Sequence, residues 1–572
     1  MSQSRLILDH VYAHEAARAD EVFLTQPVGG GQVIDYTWAQ TLDQARRMAA
    51  HLQSLGFEPG ARIAMLAKNS AHFFMVDLAV WMAGGTTVAI FPTETADNIR
   101  FVLEHSEARL LFIGKLDGWA QQKAAMTAAV PAGLPCIELP LAPDTGFETW
   151  DAIVARTAPL QGRPQRQPDD IAMLLYTSGS TGQPKGVMQS FASVTNATQG
   201  IVNIGLAQDG DMPRRMLSYL PLAHCYERAW VECAAFIGGR SHVYFTESLA
   251  SFMADLKRAR PTHFISVPRL WLKFQQGVLA SMPAAQLDTM LDNPVLAGAV
   301  GQKVRASLGL GDVVRAGSGS APLPVPLLQW YRRIGLNMIE GYAMTEDFAY
   351  SHSSPLEPGP AGCVGVPLDG VQARIADDGE VLVKSPGRMV GYYKRPDLNA
   401  ECFTDDGFFH TGDLGRYNAQ GQLQLTGRKK ELFKTAKGKY VAPAPIENSL
   451  NAHPMVELSM VSGLGQPAAY AVLVLAEPLR PQLADATVRA KVESELTTLL
   501  HSVNEALASH ERLQMLVVAS APWSIDNGCL TPTMKIKRST SKRRSPARSM
   551  PGTAQPARWS GPERLRPESH QH

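Results

Sequence analysis

Disulfide and metal chemistry are the first things this sequence excludes. Its six cysteines (Cys136, Cys225, Cys233, Cys363, Cys402 and Cys529) are scattered over 572 residues, with no Cys-x-x-Cys pair and no histidine at ligand spacing. That spread offers neither a disulfide framework nor a zinc site and suits a reducing compartment. Net charge is scarce as well: 54 Lys+Arg against 53 Asp+Glu leave +1. Residues 539–572 alone hold seven basic and two acidic residues, so the rest carries about −4. A near-neutral body excludes nucleic acid as the main partner, because binding a phosphate backbone needs a basic surface. There is no internal repeat, and the opening MSQSRLILDHVYAHEAARADE meets acidic residues before any long apolar core, so no secretory leader is expected. One apolar run, Phe73–Phe91, approaches the length of a membrane span. Asp77 lies inside it, Gly84-Gly85 interrupts it, and its second half turns β-branched. These features predict a buried helix, a turn and a buried strand in a soluble, cytoplasmic chain.

What the sequence does contain is an ordinary globular mix, 45% hydrophobic and 19% charged, on a chain too long for one core. Helical runs such as Ala39–Leu55 alternate with β-rich runs such as Arg62–Leu66 and Thr87–Phe91, which predicts an α/β domain with largely parallel sheets. The pattern turns charged near Gly421–Glu431 and restarts on a smaller scale. Strands near Val456–Val461 and Ala469–Val474, then a helix over Ala484–Ala508, predict a small α+β domain. The expected organisation is a large domain over 1–426, a hinge at 427–431, a small domain over 432–538 and a Ser/Pro/Arg-rich tail over 539–572. The tail has the composition of a disordered segment, and its basic character would suit an anionic surface or simple solvation.

The most informative segment is Leu174–Ser190, LLYTSGSTGQPKGVMQS. An apolar strand, Ile171–Tyr176, leads into Thr177, Ser178, Gly179, Ser180, Thr181 and Gly182, then Pro184-Lys185-Gly186 and an expected helix. Small residues let backbone N–H groups approach phosphate oxygens, hydroxyls add donors, and Lys185 adds charge. The spacing is not the Walker pattern, since Lys185 precedes Gly186 instead of following a glycine.

YTSGSTGQPKGV resembles the signature of the AMP-forming acyl-CoA synthetase, adenylation-domain and luciferase superfamily. Further matches follow in the family's order. Gly317–Leu323 (GSGSAPL) resembles the adenine-side loop, with Ser320 and Ala321 at its tip, and Gly341–Glu346 (GYAMTE) resembles the Tyr-Gly-x-Thr-Glu motif. Gly362–Pro367 resembles the next glycine turn, His410–Asp413 the Thr-Gly-Asp motif, and Gly427–Glu431 with Lys437-Gly438-Lys439 the hinge and its following loop. The resemblance covers nearly all of residues 10–538. It implies a large adenylate-forming domain with mixed and parallel sheets and a small mobile α+β domain.

The resemblance also implies roles that fit the chemistry. Forming an acyl-AMP joins two anions, so positive charge and Mg²⁺ must offset their repulsion. Thr345 would bind phosphate, Glu346 would hold Mg²⁺, Tyr342 would stack on adenine, Asp413 would accept the ribose hydroxyls, and Arg428 would add a ribose or phosphate contact. In Leu530–Arg538 (LTPTMKIKR), Lys535 is the family's second lysine, with Lys537 as the alternative. Lys430 matches the hinge. Rotation there would bring Lys535 to the adenylate in one orientation and open a coenzyme A path past Gly438 in the other.

Tyr219–Arg228 (YLPLAHCYER) resembles the long-chain acyl-CoA synthetase form of its motif, which makes His224 a carboxylate-positioning residue or a capping histidine. Pro261–Leu270 leans the same way, and Trp230 and Trp271 are either gates or packed side chains. The expected substrates are ATP, a long-chain fatty acid and coenzyme A, with weak peripheral membrane contact for acyl delivery. A fatty acyl-AMP ligase loading a carrier protein is one alternative, and a non-catalytic nucleotide- or acyl-binding relative is another. Two departures stand out: Ala343 replaces a glycine, and Phe191 stands where many relatives have histidine. After Arg538, where relatives finish with a helix, Ser/Arg/Pro-rich sequence takes over, so the small domain is expected to lack its last packed element.

Overall fold

The computed structural model describes residues 5–117, 123–124, 127–177, 183–355, 363–525, 527–538 and 540–541. Ser178–Gly182 of the phosphate-loop motif, Gly362, and the tail beyond Ser541 lie outside the described residues. The chain is α/β, with a large N-terminal domain and a smaller C-terminal one. At the centre of the large domain is an eight-stranded sheet. Six strands run parallel in the order Ile171–Thr177, Thr86–Ile90, Arg62–Leu66, Leu110–Ile113, Cys136–Glu138 and Glu148–Thr149. Lys185–Ser190 and Gly391–Tyr392 extend it antiparallel. The Phe73–Phe91 run is the helix Ala71–Met82, buried at all twelve positions, then a left-handed turn at Gly84 (φ +92°) and the strand Thr86–Ile90. A helix apolar all round belongs inside a protein of this size, and Asp77 within it is balanced by an ion pair with Arg228. Among the described residues no helix is long and apolar enough to cross a membrane.

Local chemistry sets the element ends. The helix predicted at Ala39 runs over Trp38–Ser54, because the Thr37 hydroxyl accepts from Gln40 N–H and the Gln40 side chain accepts from Thr37 N–H. The helix predicted after Gly186 is first a strand, Lys185–Ser190, and becomes the helix Phe191–Asp209 only after Ser190 caps it. The phosphate-loop motif is therefore a hairpin loop, not a strand-to-helix turn. Gly186 lets the two strands close up, since a Cβ there would fall 3.1 Å from the Tyr176 ring. Phe191, at the start of that helix, is buried against Trp81 with the Arg166 guanidinium over its ring.

Two further sheets frame the cleft. One carries His263–Ser266, Arg315–Ser318 and Met338–Tyr342 in parallel; the other is antiparallel and holds Gln372–Ile375, Glu380–Lys384, Phe409–Tyr417 and Leu423–Arg428. The small domain packs the helices Pro443–Asn451 and Ala486–Glu505 on a sheet of Val456–Ser462, Ala469–Leu475 and Leu513–Val518, around a core of its own. Packing continues past Arg538: Ser541 is buried and its hydroxyl donates to the Cys529 carbonyl.

Candidate functional site

The phosphate side of the cleft begins at the hairpin, where Thr177 and Lys185 are direct register partners. The Lys185 ammonium lies 4.4 Å from the centre of the Tyr392 ring, and the Tyr392 hydroxyl donates to Glu346 Oε1 at 2.7 Å. Burial lowers the Lys185 pKa against the opposing pull of Glu346, and Lys430 adds to the lowering. Thr345 and Glu346 sit on a tight turn pinned from both sides. Gln189 donates to the Thr345 carbonyl, Met389 N–H donates to the Glu346 carbonyl, and each bond is 2.8 Å long. The turn is followed by two left-handed non-glycine residues, Phe348 (φ 52°) and Ala349 (φ 57°), a conformation held only where its surroundings over-determine it. Asp347 supplies part of that support by accepting from Met344 N–H, and its own burial pushes it up to about 8. The short motif gave no signal for Asp347, and Tyr392 lies outside every motif.

On the nucleoside side, Asp413 and Arg428 face each other across neighbouring strands. Asp413 accepts from the Tyr342 hydroxyl at 2.8 Å and from Arg428 Nε at 2.5 Å. Burial works against the Arg428 charge, but Asp413 outweighs it and raises the Arg428 pKa. Tyr342 is buried, and beside it Ser320 (φ 67°) and Ala321 form an exposed loop tip.

Lys535 reaches the cleft from the small domain on a turn in which Thr531 N–H donates to the Lys535 carbonyl and Lys535 N–H donates to the Thr531 hydroxyl. Its side chain is exposed within the cleft yet crowded by surrounding protein. That crowding lowers its pKa, Arg428 adds to the lowering, and Cys225, Asp413 and Glu346 oppose it. The same field reaches His224, which burial and Lys535 hold down to about 3, so the imidazole is neutral. His224 Nδ1 accepts from Tyr226 N–H, capping the short turn that follows, and the side chain also lines an apolar cavity. That cavity runs from Gly319, Ser320 and Ala343 past Ile201, Met216 and Ile265. Trp230 lines it, its indole N–H donating to the Ala349 carbonyl. Trp271 is instead fully buried in a separate core with Phe264 and Tyr331. Lys430 is exposed on the turn Lys429–Glu431. Gly438 (φ +77°) forms the exposed tip of a small hairpin, and the nearest atom a Cβ there would meet is Lys434 Cε, 3.9 Å away.

Among the described residues no three His, Cys, Asp or Glu side chains stand together as a metal cage. Glu346 still offers one carboxylate beside the Thr345 hydroxyl. That donor set fits Mg²⁺, which keeps several waters and binds through one or two carboxylates plus substrate phosphates.

This arrangement can be set beside known proteins. Residues 12–393 match the family model described as AMP-binding enzyme, and residues 431–543 match the model of the AMP-binding enzyme C-terminal domain. The chain is 31% identical to long-chain-fatty-acid–CoA ligase FadD15 of Mycobacterium tuberculosis, over 92% of this chain and 94% of that one. It is 27% identical to the peroxisomal long chain acyl-CoA synthetase 6 of Arabidopsis thaliana, over 90% and 81%. In fold it is similar to the A domain of carboxylic acid reductase from Segniliparus rugosus, solved with AMP and a co-purified carboxylic acid. That match has a TM-score of 0.78 at 22% identity and covers 95% and 93% of the two chains. Motif order, cleft geometry and these matches agree: the chain belongs to the AMP-binding, adenylate-forming enzyme family.

Proposed function

We propose that the chain is an ATP-dependent acid–thiol ligase. It joins a long-chain fatty acid to AMP, releases pyrophosphate, and passes the acyl group to coenzyme A. The observation that carries this reading is the meeting of Lys535 with Glu346, Asp413 and Arg428 at the mouth of an apolar cavity. In the first step a carboxylate oxygen attacks the α-phosphorus and pyrophosphate leaves. Lys535 holds positive charge against the carboxylate and α-phosphate, where fixed charge in a dehydrated site is most effective. Lys185, Thr345 and the loop Thr177–Gly182 hold the phosphates, Glu346 would hold Mg²⁺, and that ion would neutralise phosphate charge when bound. Tyr342, Ser320 and Ala321 form the adenine side, while Asp413 and Arg428 hold the ribose. A neutral His224 orients the carboxylate without competing with Lys535 for it.

In the second step the thiol sulfur attacks the acyl carbon, AMP leaves, and the thiol proton passes to solvent. The small domain, 432–538, rotates about the 427–431 hinge at Lys430, withdrawing Lys535 and bringing Gly438 to the thiol path. The enzyme works in the cytoplasm and touches membranes only to collect its acid.

The test is AMP release by the full chain with ATP, Mg²⁺ and coenzyme A, across acids from acetic to oleic. AMP formation that rises with chain length and needs coenzyme A supports the reading. An acyl-adenylate that forms without turnover on coenzyme A transfers the assignment to a ligase serving a carrier protein. Silence with every acid refutes it.

A further inference from the structure

The far end of the acyl cavity is not apolar. The parallel strands His263–Ser266 and Arg315–Ser318 run towards the adenine side, so their first residues lie at the opposite end, roughly 10 Å away by strand rise. There the cavity is lined by Arg214, His263 and Arg315. Arg315 is only 8% exposed and spends Nε and Nη2 on the carboxylate of Asp209, at 3.0 and 2.7 Å. Asp209 also accepts from His263 Nε2 at 2.9 Å, which completes its partners. Arg315 Nη1 is left buried with no partner. Arg214 has no hydrogen bond or ion pair from its guanidinium among the described residues. The guanidinium lies against Gly205 of the helix Phe191–Asp209, where a Cβ would fall 2.2 Å from Arg214 Nη2. A mid-helix glycine is costly, and here it makes the room this guanidinium occupies.

Two guanidiniums therefore face one carboxylate at the end of an otherwise apolar cavity. A buried cation in excess, with an orphaned donor beside it, is unfavourable unless an anion completes it. We propose that this end receives a second carboxylate, carried at the far terminus of the acyl chain, so that the preferred substrates are α,ω-dicarboxylic fatty acids. Arg214 and Arg315 Nη1 would take that carboxylate, for which guanidinium geometry is suited, while the first carboxylate reacts near His224 and Lys535. The proposal rests on the ligase reading of the site.

The test compares monocarboxylic and α,ω-dicarboxylic acids of equal length, from octanoic to hexadecanoic, in AMP release by the full chain. In parallel, calorimetric binding of each acid to the full chain is measured, which does not depend on turnover. At the best-fitting length the diacid is expected to be favoured at least about tenfold in kcat/KM and in affinity, the worth of one charge-assisted hydrogen bond. Arg214→Met is expected to remove that preference while keeping the monoacid, and Arg214→Gln to keep part of it. A diacid no better than its monoacid in either readout overturns the proposal, as does an unchanged ratio in Arg214→Met or an equal loss for both acids. Silence in AMP release with all acids counts against the ligase reading alone, and the binding ratio then decides this proposal.

Discussion

Replacing Glu457 by Gln should separate the two half-reactions. Arg269, on the helix Pro268–Ser281 of the large domain, forms an ion pair with Glu457 on the strand Val456–Ser462 of the small domain, and Arg480 pairs with the same carboxylate. Both members of the interdomain pair are partly shielded, with side-chain exposures of 32% and 20%, and Arg269 Nη1 is buried without another partner. The contact belongs to the orientation in which Lys535 occupies the cleft. A rotation that withdraws Lys535 must break it. An exposed pair contributes under about 1 kcal/mol, whereas hydrogen bonds to charged groups contribute about 1.5–3 kcal/mol. A value near 1.4 kcal/mol for this half-shielded pair is a tenfold shift between orientations. Glu457→Gln should therefore slow acid-dependent ATP–pyrophosphate exchange by roughly 3- to 10-fold. Thioester formation from supplied acyl-adenylate should hold or rise. Arg269→Met should act alike, and the double variant should be no worse than either single one. Equal losses in both half-reactions, or none in either, would refute the latch.

Lys535→Ala should cut pyrophosphate exchange by about 10²- to 10³-fold, as loss of a transition-state charge partner does. Lys537→Ala should stay within about twofold; reversed effects would move the role to Lys537. Because protein crowding and Arg428 lower the Lys535 pKa, the exchange rate should fall on an alkaline limb below the ordinary lysine value of about 10.4. Arg538 joins Glu431 at the hinge to Glu447 of the first small-domain helix. Arg538→Met should destabilise the small domain by about 2 kcal/mol, less than a fully buried pair because Arg538 is 28% exposed, read as earlier denaturant unfolding of that domain. His72 and His352 are held neutral by burial, at about 3 and about 4. Below pH 6.5 the unfolded chain binds protons that the folded chain refuses, so stability falls as pH drops from 6.5 towards 4. Each contributes about 2 kcal/mol of loss by pH 5, visible as a falling melting temperature that His72→Gln should flatten.

The parts of the site legible in the sequence are those whose chemistry is local. Phosphate, adenine and ribose contacts come from short loops at strand ends, so YTSGSTGQPKGV, GYAMTE and HTGD could be read in order. Element types were legible where periodicity was strong, as in Phe73–Phe91, where Asp77 and Gly84 marked the buried helix and turn. What stayed hidden depends on pairing across the chain. Nothing near Arg228 names Asp77 as its partner, and nothing near Arg315 names Asp209. Tyr392 reaches Glu346 only because Gly391–Tyr392 adds an edge strand beside Lys185–Ser190. The strand after Gly186 was missed for a related reason: its apolar residues sit at an antiparallel sheet edge, and single-sequence periodicity over six residues does not separate that from a helix start. The two tryptophans were equivalent in sequence, yet Trp230 lines the cavity and Trp271 fills a core.

The central claim is that the carboxylate attacks the α-phosphorus of ATP, and isotope transfer tests it most directly. A fatty acid labelled with heavy oxygen in its carboxylate is turned over with ATP and coenzyme A, and the products are weighed by mass spectrometry. The account predicts one labelled oxygen in the AMP phosphate and none in pyrophosphate. Label in inorganic phosphate with ADP as the nucleotide product, or acyl-CoA formed beside unlabelled AMP, would contradict it.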